Sequence, residues 1–316
     1  MRLGVIGLAK QPEPFLTQLL DGLGGHGIRV RPGSTKADVL YLPWTATGVD
    51  RPELLEQGVP VVVSCRGAQV NVAPWNPERA TLRAGLPKLF ERAAAVHCVS
   101  DAIRQEATLF GLDPAKATVI RPAVDLQRFT PHPLPGRGHL VSVGRLQWRK
   151  GYEYALLAVR RLLDRGVAVT YEIVGEEADG SATRHAVHDL GLADAVTLTP
   201  PQGRDEVAGR LAAADVLLLP SLSEGIANAA LEAMATARPV VVTDCGGMVE
   251  AVTDGVEGRV VPVRDPEATA DATADVLAHP GAAAAMGRAG RARVEADHDL
   301  DDHVRAFAEL FTAVAR

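Results

Sequence analysis

Between Ala214 and Asp244 the chain reads ADVLLLPSLSEGIANAALEAMATARPVVVTD. Two apolar runs, Val216–Leu219 and Val240–Val242, are short and uninterrupted, which predicts strands buried on both faces. Pro220, Ser221 and Ser223 break the first run. Ser223 is placed to cap a helix over Ile226–Ala235, which Pro239 then ends. A strand–loop–helix–strand unit results. Such a unit needs a sheet to sit in, and the same alternation recurs along the whole chain.

Before residue 130, short apolar segments at Leu3–Gly7, Ile28–Val30, Asp38–Leu42, Val59–Ser64, Ala94–Val99 and Thr118–Ile120 predict strands. Helical spacing over Phe15–Leu23 and other helical stretches separate them. Strands alternating with helices imply parallel βαβ units, so the first half is a Rossmann-like sheet. Ligands of such sheets bind at the carboxyl ends of the strands. Those ends carry Gly7, Pro43-Trp44 and Ser64-Cys65-Arg66-Gly67. Asp101 can cap the helix after Ala94–Val99. Pro131–Gly136, PHPLPG, is proline-rich and reads as an interdomain linker. The predicted domains are therefore 1–133 and 134–299, with a final helix at about 300–316 returning to the first.

The second half opens with a strand over Leu140–Val143, then Gly144-Arg145-Leu146-Gln147-Trp148-Arg149-Lys150-Gly151. Gly144 lets a ligand approach the backbone. Arg145 and Lys150 put two cations ahead of a helix starting near Tyr152, an arrangement suited to a diphosphate. Thr170–Val174, ending at Gly175, and Val196–Leu198 predict further strands, as does Val256–Val263. Helices are expected over Pro266–Ala278, Ala282–Glu295 and Asp301–Ala315.

Glu224 and Glu232 stand eight residues apart. At helical rise that is about 12 Å, too far for two carboxylates to share a proton or flank one bond. The spacing suits a long ligand with hydroxyls at both ends and a charged middle, with helix N–H groups between. A nucleotide sugar fits: sugar hydroxyls by Glu224, diphosphate in the middle, ribose by Glu232. The plainer alternative is two surface glutamates on an amphipathic helix.

Framed by SLSEGIANAALEAMA, however, the pair resembles the signature of the retaining GT-B glycosyltransferases of family four, also called group 1. The resemblance runs from about Leu140 to Leu310 and is weaker before. It implies an α/β GT-B fold, two Rossmann-like domains with a donor cleft between them. It also implies a metal-independent retaining hexosyltransferase that moves a sugar from a nucleotide sugar to a hydroxyl acceptor.

By resemblance, Arg145 and Lys150 neutralise the departing diphosphate and Glu224 acts beside them. Gly144, Gly175, Gly225, Ile226, Ala227 and Glu232 contact the donor, the amides of Gly225 to Ala227 positioning sugar hydroxyls. Members of the family often have a glycine pair after the first strand; here only Gly7 can stand in. They often have a histidine after the fourth strand; here Arg66 matches it, followed by Gly67, on the acceptor side. An arginine there can bind an acidic group or cap the loop. Arg149 has no family role. The resemblance implies no cofactor and no metal site, and leaves UDP, GDP, ADP and TDP donors open. Closure of the domains would exclude water. Two rivals stand beside this reading: a non-catalytic scaffold on the same fold, and a nucleotide-sugar epimerase.

Composition narrows the partners. The 316 residues carry 33 Lys+Arg against 39 Asp+Glu, a net charge of −6, which argues against a general nucleic-acid binder. Residues 1–130 are nonetheless net +3 and the rest −9. Leu82, Leu86, Leu89 and Phe90 can share one side of a helix whose other face holds Arg79, Arg83 and Arg92, with Pro87 expected to break or kink it. A basic amphipathic helix can lie on an anionic membrane or pack on the sheet with its basic face in water. No apolar run is long enough to span a bilayer, and the first residues read as a strand, not a leader. Three scattered cysteines imply no disulfide framework. The expected location is the cytoplasm, with the inner membrane face as a peripheral site.

Overall fold

Why the short valine and leucine runs become strands is visible in how they are covered. In a computed structural model, which describes residues 1–10, 13–175 and 181–316, they form two separate parallel sheets. The first contains β1 (Arg2–Val5), β2 (Arg29–Pro32), β3 (Val39–Leu42), β4 (Val61–Cys65), β5 (Ala95–Cys98) and β6 (Ala117–Val119). Its order is β2-β1-β3-β4-β5-β6, with every pairing parallel. The second contains β7 (His139–Val143), β8 (Thr170–Val174), β9 (Val196–Thr199), β10 (Val216–Leu219), β11 (Val240–Thr243) and β12 (Gly258–Val261). Its order is β12-β11-β10-β7-β8-β9, again all parallel. Helices cover both faces, so β3, β4, β10 and β11 are buried along their whole length.

Each order reverses once, and there the crossovers diverge and open a crevice at the strand ends. In the first sheet that point lies between β1 and β3, whose carboxyl ends lead to Gly7 and Trp44. In the second it lies between β7 and β10, whose ends lead to Gly144 and Glu224.

The chain divides into two units, 1–123 with 300–316, and 124–299. The second unit thus starts at Val124, ten residues before the predicted boundary at 134 and ahead of the proline-rich stretch. Val124 and Phe129 belong to its core. The fully buried Arg238 donates to the carbonyls of His132, Pro133 and Ala214, and Asp215 accepts from the amides of Gly136, Arg137 and His139. Residues 131–136 are therefore bonded to the second unit. The last helix, Leu300–Val314, is part of the first unit, where Val304, Phe307 and Phe311 pack with Leu3, Leu16 and Tyr41.

Three local expectations need correction. The helix after β10 spans Asn228–Ala235, with Ala227, not Ser223, at its cap, because Ile226 turns into the core. Ser100 rather than Asp101 caps the helix Asp101–Thr108, its hydroxyl accepting from the Ile103 amide at 3.1 Å. Pro87 neither ends nor interrupts the helix Ala80–Arg92. An interior proline costs about 3 kcal/mol, but burying Leu82, Leu86, Leu89 and Phe90 returns roughly 1.5–3 kcal/mol each, and Pro87 itself faces solvent.

Candidate functional site

The second sheet's reversal point is shaped by backbone fit. β7 ends at Val143 and the chain runs through Gly144 into a 3-10 turn, Trp148–Lys150. The Tyr152 hydroxyl donates to the Gly144 carbonyl at 2.9 Å. Gly175, at the end of β8, lies so near that a Cβ there would sit 1.8 Å from the same carbonyl oxygen. Only glycine fits, so packing of the neighbouring strand exit already accounts for Gly175. Across the crevice, a Cβ on Gly246, which has φ +53°, would stand 2.0 Å from the Glu224 carbonyl oxygen. The loop carrying Glu224 is thereby seated on the loop after β11.

Here the sequence-predicted Lys150 and Glu224 meet. Lys150 Nζ donates to Glu224 Oε1 at 2.6 Å. Arg149 Nη1 lies 3.2 Å from Glu224 Oε2 and 3.4 Å from the Ser223 carbonyl. The Ser221 hydroxyl donates to Oε1 at 3.0 Å. Both Lys150 and Glu224 are buried. Burial by itself opposes charge on the Glu224 carboxyl, but Lys150, Arg149 and Ser221 outweigh it and hold its pKa below the ordinary range. The group is an ionised carboxylate with both oxygens engaged.

Arg145 is exposed on the loop leaving β7. Gly225, Ile226 and Ala227 are buried in the segment between Glu224 and the helix. The Ala227 amide donates to Met248 Sδ at 3.3 Å, so it is turned inward, while Ile226 and Ala227 place their side chains in the core. Cys245 is buried too; burial pushes its thiol up to about 11, and it packs under the loop as an inert group.

Glu232 lies on the second turn of Asn228–Ala235, with Arg204 Nη2 at 3.8 Å from Oε1. Burial pushes its pKa up to about 7, against the pull of Arg204. The Arg204 guanidinium itself lies 5.5 Å from the centre of the Phe129 ring.

Arg149, Ser221 and Arg204 are therefore neighbours of the predicted residues for which the sequence predicted no part in the site. Ser221 had a usable signal, since a serine three residues before a glutamate often bonds locally. Arg149 adjoins Lys150 in the same turn. Arg204 had none, being brought in by the helix Arg204–Ala213. Among the described residues no group of three or more His, Cys, Asp or Glu is arranged to hold a metal ion.

In the first unit, Gly7 follows β1 and Gly67 precedes a short helix, Ala68–Asn71. Gln11 and Pro12, in the stretch GLAKQPEP that begins at Gly7, lie outside the described residues. Among the described residues Arg66 makes no hydrogen bond to a backbone carbonyl. Its Nη2 donates to the Tyr41 hydroxyl at 2.8 Å and its guanidinium lies 4.3 Å from the centre of the Phe15 ring.

The two doubly wound sheets define a GT-B protein. Solved structures agree: sucrose-phosphate synthase from Thermosynechococcus elongatus superposes with a TM-score of 0.87 at 19% identity, covering 99% of this chain and 98% of that one. The Anabaena protein HepE, solved in complex with UDP and glucose, superposes at 0.83 with 18% identity, covering 99% and 100%. Family profiles match residues 137–279 (glycosyl transferases group 1) and 28–128 (glycosyltransferase family 4). The D-inositol 3-phosphate glycosyltransferase of Paenarthrobacter aurescens is 31% identical over 290 residues, 84% of this chain and 71% of the relative. That of Streptomyces griseus is 34% identical over 237 residues, 65% and 50%. The chain spans about half the length of the Streptomyces relatives it matches. It belongs to the group 1, family 4 glycosyltransferases.

Proposed function

We propose that this chain is a retaining hexosyltransferase, moving a sugar from a nucleotide-sugar donor to a hydroxyl acceptor without a divalent ion. The observation that carries the reading is the Lys150–Glu224 contact, 2.6 Å, at the reversal point of the second sheet. In a nucleotide sugar the sugar ring and the second phosphate share one oxygen. A cation for that phosphate and a carboxylate for the sugar hydroxyls must therefore be neighbours, as Lys150 and Glu224 are.

Breaking the anomeric C–O bond leaves negative charge on the diphosphate. Lys150 and Arg145 lower that barrier by charge already in place, with the amides of Gly225 and Ile226 and the first turn of Asn228–Ala235 beside them. Glu224 accepts sugar hydroxyl bonds. Its oxygens are held by Lys150, Arg149 and Ser221, which supports a positioning role over that of a nucleophile. The acceptor oxygen then bonds to the anomeric carbon on the face the phosphate leaves, and its proton passes to the departing phosphate oxygen. Glu232 holds the ribose. Gly7, Gly144 and Gly175 belong to the donor approach, and Arg66 and Gly67 to the acceptor.

UDP-sugars are the first donors to try, since HepE is solved with UDP and with UDP-glucose. A phosphorylated cyclitol is the first acceptor, given the names of the relatives. The enzyme acts in the cytoplasm. Among the described residues no helix is long and apolar enough to cross a membrane. Contact with an anionic inner membrane face would fall to exposed Arg79, Arg83 and Arg92, because the leucines of their helix are buried.

Nucleoside diphosphate release from a donor panel, with the product's anomeric configuration read by NMR, tests the proposal. The expected product keeps the donor's configuration, and EDTA leaves the rate unchanged. Inverted product, or activity lost to EDTA and restored by a divalent ion, would contradict it.

A further inference from the structure

Behind the strand ends of the first sheet runs a chain of buried polar groups that the transfer reaction does not itself use. His97 Nε2 lies 2.9 Å from the Ile120 carbonyl, and His97 Nδ1 lies 2.8 Å from Ser64 Oγ. Ser64 Oγ is 2.8 Å from the Tyr41 hydroxyl, which accepts from Arg66 Nη2 at 2.8 Å. Tyr41, Ser64 and His97 are fully buried, and Phe307 and Phe311 pack on Tyr41 while Phe307 packs on His97.

The proton directions follow from the ends. A carbonyl can only accept, so Nε2 carries hydrogen. Burial first, and the nearby Arg66 charge second, hold the imidazole well below its ordinary pKa, so it is neutral and Nδ1 accepts from Ser64. Ser64 in turn accepts from Tyr41. The Tyr41 oxygen is left as a fixed acceptor aimed at Arg66. The whole chain orients one guanidinium.

Among the described residues that guanidinium has no carboxylate counterion. It is half-buried, stacked on Phe15, and no Asp or Glu among the described residues pairs with it; its Nε is shut from solvent with no acceptor. A partly desolvated cation without an anion beside it is costly, and a fixed planar fork is matched by a carboxylate or phosphate. We infer that Arg66 is the receptor for an anionic group carried by the acceptor, so that this site selects charged over neutral hydroxyl acceptors. The inference rests on the transferase reading. The charged groups assigned to the donor, Arg145, Lys150, Glu224 and Glu232, belong to the other unit, so the anion met by Arg66 is assigned to the acceptor, and UDP affinity in the Arg66 variants checks that assignment.

The test is titration calorimetry on the full chain with three probes: myo-inositol 3-phosphate, myo-inositol and UDP. Wild type should prefer the phosphorylated cyclitol at least tenfold. Arg66→Gln should abolish that preference, and Arg66→Lys should recover only part of it, since charge returns without the fork. Tyr41→Phe, which leaves the charge but removes its anchor, should weaken the phosphorylated ligand several-fold. UDP affinity should stay unchanged in all three, which also shows that each variant is folded. A wild-type chain that binds neither cyclitol, or both equally, overturns the inference. So does Arg66→Gln that keeps the preference, or that loses UDP instead, which would make the anion the donor's. Absence of UDP binding in wild type would sink the transferase reading separately, while the cyclitol pair still decides the role of Arg66.

Discussion

In the proposed reaction Lys150 and Glu232 face opposite demands. Lys150 must meet charge that grows as the sugar–phosphate bond breaks, so its removal should fall on turnover. Lys150→Ala is expected to lower kcat by about a hundredfold or more, the scale for losing one transition-state charge donor, with UDP affinity changed much less. Rapid-quench nucleotide release checks this; an unchanged kcat would remove Lys150 from the chemistry. Glu232 is instead proposed to meet a neutral ribose, which a carboxylate accepts best when ionised. With its pKa at about 7, UDP affinity should rise between pH 6 and 8 in wild type, while Glu232→Gln stays weak and follows only the titration of UDP itself. The stability sign is the reverse. The folded chain holds the proton more tightly than the unfolded one, so this contribution is complete below about pH 4.5 and is lost as pH rises through about 7. Wild type and Glu232→Gln compared by denaturant unfolding at pH 5 and 8 should show it.

At the scale of elements, the strands were legible because runs such as Val61-Val62-Val63 and Leu217-Leu218-Leu219 allow little else, and their parallel arrangement followed from alternation with helices. What pairwise spacing could not show is which neighbours tertiary structure brings in. Arg149 and Ser221 reach Glu224 through a turn and a loop folded against each other, and Arg204 arrives on a separate helix. The helix start shifted to Asn228 because the core claimed Ile226, and Pro87 was tolerated because four buried side chains outweigh one missing hydrogen bond. That helix, Ala80–Arg92, carries its own prediction. Leu86 is fully buried, so Leu86→Ala should cost roughly 2–5 kcal/mol of stability and leave binding to anionic vesicles unchanged at temperatures where it is folded. Vesicle binding lost together with Leu86, in a folded chain, would show the apolar side entering the membrane.

For the whole molecule, two doubly wound sheets each place a crevice at their strand ends. The chain enters the second unit near Val124 and leaves it near Asp299, positions joined by a parallel bridge. Charge is uneven along the chain, residues 1–130 being net +3 and the remainder −9. The proposed function requires the second unit to bind a nucleotide diphosphate sugar. Thermal unfolding of the full chain with a panel of nucleotides and nucleotide sugars, with Glu232→Ala alongside, tests it most directly. A nucleotide at a hundred times its Kd should stabilise the chain by about 2.7 kcal/mol. One base, UDP foremost, should raise the midpoint, and Glu232→Ala should diminish the rise. A midpoint unmoved by every nucleotide would contradict it.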